Sequence, residues 1–241
     1  MKPNGLHERI IVALDYDDRG KALHLLDKIE MVRFVKIGPR LLAATDWSIL
    51  REAADRGKEI FLDLKLHDIP STVAGTIANL SRFPIFSLSV HAASGSATLK
   101  AAVQKSRSLS RPIHIWAVTL LTSFRDETAA DELMLAGSPS EYVQHLALLA
   151  RYCGADGVIS PADQVARIKE TCGQDFIVVV PGVRPAGWEP HDQQRSSTPA
   201  RAIEAGADFL VIGRAITASS DPAASFFQIV EEINDALGKT G

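Results

Sequence analysis

The chain has 241 residues, of which 46% are hydrophobic and 23% are charged, as in ordinary globular proteins with a sizeable core. The 26 lysines and arginines nearly balance 29 aspartates and glutamates, and the formal net charge of -3 argues against a dedicated nucleic-acid-binding protein. The two cysteines exclude a disulfide framework and a structural zinc site.

Targeting and membrane signals are missing from the sequence. Residues 1–8 are polar and lack the apolar segment of a signal peptide. The apolar runs all fall short of the roughly 20 residues that a membrane helix needs. We therefore expect a cytoplasmic protein that binds neither membrane nor nucleic acid.

Short runs of apolar and β-branched residues recur along the chain and predict eight strands. Their apolar character is nearly continuous, as expected of strands that are covered on both faces. In chain order the predicted strands are Arg9–Leu14, Arg33–Ile37, Glu59–Leu64, Ile85–Val90, Ile113–Thr119, Gly157–Ser160, Phe176–Val180 and Phe209–Ile212.

Helical patterns fill the segments between these strands. Asp46 and Thr198 are predicted N-caps, and Gly57, Gly154 and Gly206 are predicted to end their helices in the left-handed conformation. The predicted helices are Ala22–Ile29, Asp46–Arg56, Ser71–Leu80, Ala97–Ser106, Ser140–Tyr152, Ala162–Thr171, Pro199–Ala205 and Phe226–Leu237.

This repetition of strand and helix predicts an α/β fold, a single (β/α)₈ TIM barrel that spans residues 1–241 as one domain. An open doubly wound sheet is the alternative. The count of eight units and the lack of a GxGxxG motif after the first strand favour the barrel. The long polar stretch Pro185–Ser197 predicts a functional loop, at about residues 184–197, that closes over a bound phosphate group.

Charged residues cluster at the predicted strand ends, which form the active-site face of a parallel barrel. The third strand runs into Asp63-x-Lys65-x-x-Asp68, and regular alternation would place Asp63 and Lys65 on the same side. A lysine between carboxylates is held in its ammonium form and can act as a general acid. Lys36 and Asp15 extend the array. A surface ion-pair network is the alternative. The position of these charged residues at the ends of several strands disfavours it.

A second cluster follows the last two strands, where barrels often bind phosphate. Gly213 allows close backbone approach to an oxyanion, and Arg214 adds a charge-assisted clamp. Arg184, in the turn after the seventh strand, is a further predicted substrate-binding residue. These residues predict a phosphorylated ligand.

Taken together, these residues resemble the orotidine 5'-monophosphate decarboxylase family. The resemblance runs in order from about Ile10 to Pro222, and its most specific part is the Asp63-x-Lys65-x-x-Asp68-Ile-Pro sequence. The other matching segments are Ala13–Asp15, Val35–Gly38, Val90–Ala92, Leu121–Ser123, Pro181–Pro185, Asp192–Gln193 and Val211–Arg214.

The resemblance implies a homodimeric barrel that converts orotidine 5'-monophosphate to UMP and CO₂, the last step of de novo pyrimidine synthesis, without metal, cofactor or covalent intermediate. It implies that Lys65 donates a proton to C6 of the pyrimidine and that Asp63 lies beside the substrate carboxylate. Asp68, with Ile69 and Thr72, resembles the segment that reaches into the partner subunit's site. Two composite active sites per dimer are therefore expected.

The resemblance also assigns the substrate contacts. It implies that Asp15 and Lys36 bind the ribose hydroxyls, with Lys36 also tied to the carboxylate array, and that Thr122 binds the amide edge of the pyrimidine. Gln193, on the closing loop, and Arg214 match the phosphate contacts, with help from the backbone of Gly213.

The motifs do not assign a role to several nearby residues. His91 ends the fourth strand and is either a core histidine or a direct participant in catalysis, whereas His67 is predicted to face away from the site. Cys153, Cys172 and Trp116 are predicted to be buried packing residues.

Two rival functions fit parts of the pattern. A metal-dependent decarboxylase or aldolase of sugar phosphates would share the DxKxxD motif and could hold Mg²⁺ between Asp15 and Asp63. The His-Asp-Ile-Pro continuation and Thr122 favour a nucleotide base instead. A phosphate-binding barrel without catalysis is the other rival, which the complete charged array disfavours.

Overall fold

The computed structural model describes residues 2–3, 5–124, 126–185 and 197–238. Eight strands form a closed barrel in chain order, each parallel to its neighbours, and the last strand pairs with the first. This confirms the predicted (β/α)₈ barrel. The strands are β1 (Ile10–Ala13), β2 (Phe34–Ile37), β3 (Glu59–Leu66), β4 (Ile85–His91), β5 (His114–Val118), β6 (Gly157–Ile159), β7 (Ile177–Pro181) and β8 (Phe209–Ile212).

Helices cover the outside of the barrel and cap its strand connections. They are α1 (Arg19–Lys28), α2 (Pro39–Ala44), α3 (Ser48–Asp55), α4 (Pro70–Leu80), α5 (Gly95–Arg107), α6 (Asp126–Glu132), α7 (Pro139–Tyr152), α8 (Val165–Cys172), α9 (Pro199–Glu204), α10 (Arg214–Thr217) and α11 (Pro222–Gly238). Sequence patterns missed α2, α6 and α10, since helices this short show little periodicity.

The predicted N-cap of α3 needs correction, whereas that of α9 is confirmed. Asp46 is not the N-cap of α3, because that position is Trp47. The Asp46 carboxylate instead accepts a 2.6 Å hydrogen bond from the backbone N–H of Ser48, two residues on. Thr198 caps α9 as predicted, with its hydroxyl accepting from the N–H of Arg201. The glycines predicted to end three helices have φ values of 73°, 82° and 101°, for Gly57, Gly154 and Gly206.

The core has two layers. Outward-facing strand residues pack against the helices, and a second cluster fills the barrel interior. Trp116 is 1% exposed in this interior and packs against Phe61 and Phe209, with ring centroids 4.8 and 5.4 Å away. Its predicted packing role is confirmed. Phe61 also lines the cavity at the barrel mouth, so the interior cluster forms the floor of that cavity.

Lys58 links backbone segments at the amino-terminal end of the barrel strands. The residue is 4% exposed, and its ammonium donates to the backbone carbonyls of Ile29, Glu30 and Val32 at 2.9, 3.0 and 2.8 Å. Burial lowers the pKa of Lys58, and the three carbonyl acceptors satisfy its three N–H groups. The side chain thus joins the segment between α1 and β2 to the start of β3.

Both cysteines are free and buried, which confirms their predicted packing role. Cys153 follows α7 and Cys172 ends α8, and burial raises the pKa of both thiols. Over the described ranges, helices that combine the length and the apolar character needed to span a bilayer are not found.

Candidate active site

A cavity of about 530 Å³ opens at the carboxyl ends of the strands. Its lining draws on residues within or just after every strand except β4. The predicted site residues on its wall are Asp15, Lys36, Asp63, Lys65, Thr122, Arg184, Gly213 and Arg214. The barrel thus brings together, in one cavity, side chains that are up to about 200 residues apart in sequence, as expected of this fold.

Charges alternate along one wall of the cavity. Nζ of Lys36 lies 2.8 Å from Oδ1 of Asp15 and 3.8 Å from Oδ2 of Asp63. The same Oδ2 accepts a 2.7 Å hydrogen bond from Nζ of Lys65. Asp63 is buried, whereas 38% of the Lys65 side chain is exposed. Two ammonium groups therefore share one buried carboxylate, and Lys65 keeps N–H donors available to a ligand.

Gly38 leaves room for this array. A Cβ atom built at this position would lie 3.3 Å from Nζ of Lys36 and 3.6 Å from the backbone oxygen of Asp63. Any side chain would therefore press on the ammonium group that bridges the two carboxylates. The close packing explains why glycine stands here, directly after β2.

The end of β3 departs from the regular strand geometry expected from the sequence. The register between β3 and β4 shifts between Leu62 and Leu66, and Lys65 has a φ of 48°. Residues other than glycine rarely adopt this left-handed conformation, which costs roughly 1–2 kcal/mol. Asp63 and Lys65 meet as predicted, but a bulge in the strand brings them together rather than simple alternation.

Asp68 and Thr72 lie outside the cavity. Both are exposed, and a carboxylate oxygen of Asp68 accepts from the N–H of Ile69 at 2.6 Å. Ile69 itself is 63% exposed. The expectation that Lys65 lies between two carboxylates is not met within the chain: in the part that the structure describes, Asp63 is the carboxylate that pairs with Lys65.

The predicted phosphate-binding residues that the structure describes also line the cavity. Arg184, Gly213 and Arg214 lie there, and Thr122, which is 7% exposed, also contributes to the wall. The backbone N–H of Arg184 donates to the carbonyl of Ser197 at 3.0 Å. Gln193 and most of the predicted closing loop lie outside the described residues.

Two histidines stack behind the charged array. The rings of His67 and His91 are 5.1 Å apart and inclined by 26°, and neither ring lines the cavity. Nδ1 of His91 is buried and has no hydrogen-bond partner among the described residues. Burial lowers the pKa of His91, and the positive charges of His67 and Lys65 lower it further. The arrangement favours a packing role for His91, and His67 stays outside the cavity as predicted.

Sequence reasoning missed Ser89. This residue of β4 is fully buried, and its hydroxyl contacts both Asp63 and the backbone of Lys65. A serine within an apolar strand was the available signal. Arg40, which lines the cavity and pairs with Asp17, was also missed.

Known proteins share both the sequence and the fold. The sequence model of the "Orotidine 5'-phosphate decarboxylase / HUMPS family" matches residues 8–229. An orotidine 5'-phosphate decarboxylase of Synechocystis sp. is 43% identical, over 94% of this chain and 98% of that protein. A relative of the same name from Escherichia coli is 40% identical, over 96% and 93%.

A solved structure agrees with these matches. The crystal structure of orotidine 5'-phosphate decarboxylase from Lactobacillus acidophilus superimposes with a TM-score of 0.82 at 35% identity, covering 94% of this chain and 99% of the other. Of the charged residues in the matching motifs, Asp15, Lys36, Asp63, Lys65 and Arg214 line one cavity of this barrel. The chain therefore belongs to the orotidine 5'-phosphate decarboxylase / HUMPS family.

Proposed function

We propose that this protein decarboxylates orotidine 5'-monophosphate to UMP and CO₂, the last step of de novo pyrimidine synthesis. The observation that carries the proposal is the alternating array Asp15–Lys36–Asp63–Lys65 on the wall of the barrel-mouth cavity. Relatives named orotidine 5'-phosphate decarboxylase that are 39–43% identical over nearly the whole chain support the substrate and the reaction.

Lys65 is the proposed proton donor. When the bond between C6 and the carboxylate breaks, its electron pair stays on C6 and CO₂ leaves. An ammonium group fixed beside C6 stabilises this developing charge and then transfers a proton to it. The 2.7 Å contact with Asp63 holds the Lys65 ammonium at one point, while its exposed portion faces the cavity. Lys65 would finish the step as an amine and regain a proton from water.

Binding energy from substrate groups that lie away from C6 must supply much of the lowering of the reaction barrier. Enzymes lower barriers by roughly 8–23 kcal/mol, and one lysine cannot account for the larger values. Phosphate contacts from Arg214, Arg184 and Gly213, together with Gln193, would use binding energy to align the ring with Lys65. Asp15 and Lys36 would bind the ribose hydroxyls, and Thr122 the amide edge of the pyrimidine. These roles are supported because the residues among them that the structure describes all line the same cavity.

A homodimer with composite sites is part of the proposal. Lys65 pairs with one carboxylate of its own chain, and Asp68 and Thr72 are exposed beside Ile69, an isoleucine that is 63% exposed. Their exposure leaves this segment accessible to a second chain. Asp68 of a partner subunit would supply the second carboxylate beside Lys65.

We further propose one domain over residues 1–241, a closing loop at about 184–197 and a cytoplasmic location.

The metal-dependent rival fits the array less well. Asp15 and Asp63, the carboxylates that would hold Mg²⁺, both face Nζ of Lys36, at 2.8 and 3.8 Å. A divalent cation between them would meet the ammonium group that already occupies this place, and the two positive charges would repel each other.

The test is direct. The purified protein is mixed with orotidine 5'-monophosphate, and the loss of its ultraviolet absorbance is followed with and without EDTA. We expect turnover to UMP that EDTA leaves unchanged. Binding without turnover would support a non-catalytic barrel, and turnover abolished by EDTA and restored by Mg²⁺ would support the metal-dependent rival.

A further inference from the structure

The bulge at the end of β3 leaves part of the strand without regular partners. Between Leu62 and Leu66 the register shifts against β4, so residues 63–65 lie opposite the single β4 residue Ser89. Ladder hydrogen bonds are lost at a bulge of this kind. The backbone N–H of Lys65 therefore needs another acceptor, because buried donors without partners are costly.

Ser89 supplies that acceptor with its side chain. Its Oγ accepts from the backbone N–H of Lys65 at 2.8 Å and lies 2.8 Å from Oδ1 of Asp63. A hydroxyl has one proton to give. Since the N–H of Lys65 points its own proton at Oγ, the hydroxyl proton goes to the Asp63 carboxylate. Ser89 thus serves both residues at once.

These contacts close a ring of hydrogen bonds around Lys65. The backbone N–H of Lys65 donates to Ser89, Ser89 donates to Oδ1 of Asp63, and Oδ2 of Asp63 accepts from Nζ of Lys65. Lys65 is held at its backbone and at its ammonium by the same two neighbours. The ring also fixes the rotation of the carboxylate, so that Oδ2 is the oxygen that faces both lysines.

We propose that Ser89 is a positioning residue for Lys65 and Asp63. Its hydroxyl holds the left-handed backbone of Lys65 and orients the Asp63 carboxylate, so that the ammonium points into the cavity at a fixed place. This inference rests on the proposed function, because it assigns Lys65 the role of proton donor. Ser89 itself does not line the cavity.

Ser87 provides a matched control on the same strand. It lies two residues before Ser89, is equally buried at 0% exposure, and its hydroxyl has no hydrogen-bond partner among the described residues. Ser87→Ala and Ser89→Ala remove the same atom from the same strand. They differ in whether that atom contacts the charged array.

The experiment compares kcat and KM for orotidine 5'-monophosphate, the Kd of UMP and the Tm of both variants with those of the wild type. Ser89→Ala should lower kcat by at least about tenfold, the effect expected from losing a hydrogen bond to a charged group. KM and the Kd of UMP should change by less than about threefold, because the proposed phosphate and ribose contacts remain. Ser87→Ala should match the wild type in all four quantities.

Three results would overturn the proposal: a kcat loss in Ser89→Ala smaller than about tenfold, an equal loss in Ser87→Ala, or weakening of UMP binding that matches the loss of kcat. The last two would indicate general damage to the strand. Amide hydrogen exchange separates this inference from the proposed function. Even if the wild type turned over no substrate, Ser89→Ala should still speed exchange at the Lys65 N–H, whereas Ser87→Ala should not. Unchanged exchange in Ser89→Ala would count against the hydrogen bond itself.

Discussion

Lys65 donates from Nζ to Oδ2 of Asp63, two residues earlier in the chain, at a distance of 2.7 Å and from a backbone with a φ of 48°. The contact depends on a bulge at the end of β3, where the left-handed residue turns its side chain back toward the preceding carboxylate. Strained backbone of this kind persists only where its surroundings hold it in place. Here the fold uses that conformation to direct an ammonium group into the barrel-mouth cavity.

Subunit complementation tests the composite site. If Asp68 acts across a dimer, the variants Lys65→Ala and Asp68→Ala should each be inactive alone and regain activity when mixed. One site of each mixed dimer would then carry both wild-type residues, and at most about half of the dimers form this way if subunits exchange randomly. Mass spectrometry should confirm the exchange. Mixed dimers that form and stay inactive would contradict the shared site.

Arg214→Ala tests the phosphate assignment. Removing a hydrogen bond to a charged group costs about 1.5–3 kcal/mol, so kcat/KM for orotidine 5'-monophosphate should fall by at least about tenfold. The phosphate-free nucleoside orotidine should be affected far less. Added phosphite should raise turnover of orotidine in the wild type and do much less in Arg214→Ala.

Arg111 offers a control for this variant, because it is exposed, lies before β5 at the far end of the barrel and pairs with Glu59. Arg111→Ala should leave both substrates unaffected. Equal losses on the two substrates in Arg214→Ala would show that Arg214 supports the fold rather than the phosphate.

Lys58 should matter for stability and not for chemistry. Lys58→Met keeps an apolar side chain but removes the ammonium donor from the buried carbonyl oxygen of Val32, which costs about 1–3 kcal/mol in the free energy of unfolding. Urea denaturation measures this loss, and kcat of the folded variant should stay at the wild-type value. Lys28→Met, at the exposed end of α1, should change stability by less than about 0.5 kcal/mol. Equal stability of the two variants would contradict the stabilising role of the Lys58 ammonium.

His91 should make stability depend on pH. Burial, His67 and Lys65 lower the pKa of His91 below its ordinary value of 6.5, so the unfolded chain binds this proton more readily than the folded chain. The free energy of unfolding should therefore fall as pH decreases through 6.5 toward the lowered pKa. At pH values well above 6.5, His91 should make no contribution to the pH dependence of stability.

The measurement is urea denaturation between pH 8 and pH 5, with the wild type compared to His91→Asn. The advantage of the wild type over this variant should shrink as the pH falls. His145→Asn, which alters an exposed residue of α7, should keep the pH dependence of the wild type. A constant difference between wild type and His91→Asn would show that His91 titrates alike in both states.

The barrel could be predicted because buried parallel strands have continuous apolar runs, which the residues of β1 and β8 show clearly. Short helices such as α10 have too few residues for a periodic pattern. Charged residues at strand ends predicted where Asp15, Lys36 and Asp63 lie, because the closed barrel brings these ends to one face.

Other features of the site depend on three-dimensional contacts that sequence patterns do not encode. The left-handed conformation of Lys65 is rare for any residue but glycine, and nothing in the local sequence favours it. Ser89 looks like an ordinary strand serine until the bulge places it opposite Asp63. The proposed role of Asp68 involves a second chain and stays a prediction.

Lys65→Ala tests whether Lys65 delivers the proton to C6. The loss of absorbance of orotidine 5'-monophosphate gives the rate, and calorimetric titration with UMP reports whether the rest of the cavity is intact. Lys65→Ala should lose decarboxylation altogether while UMP binding stays measurable, because the proposed phosphate and ribose contacts do not involve Lys65. A variant that binds UMP and retains most of the wild-type kcat would contradict the proton-donor role of Lys65.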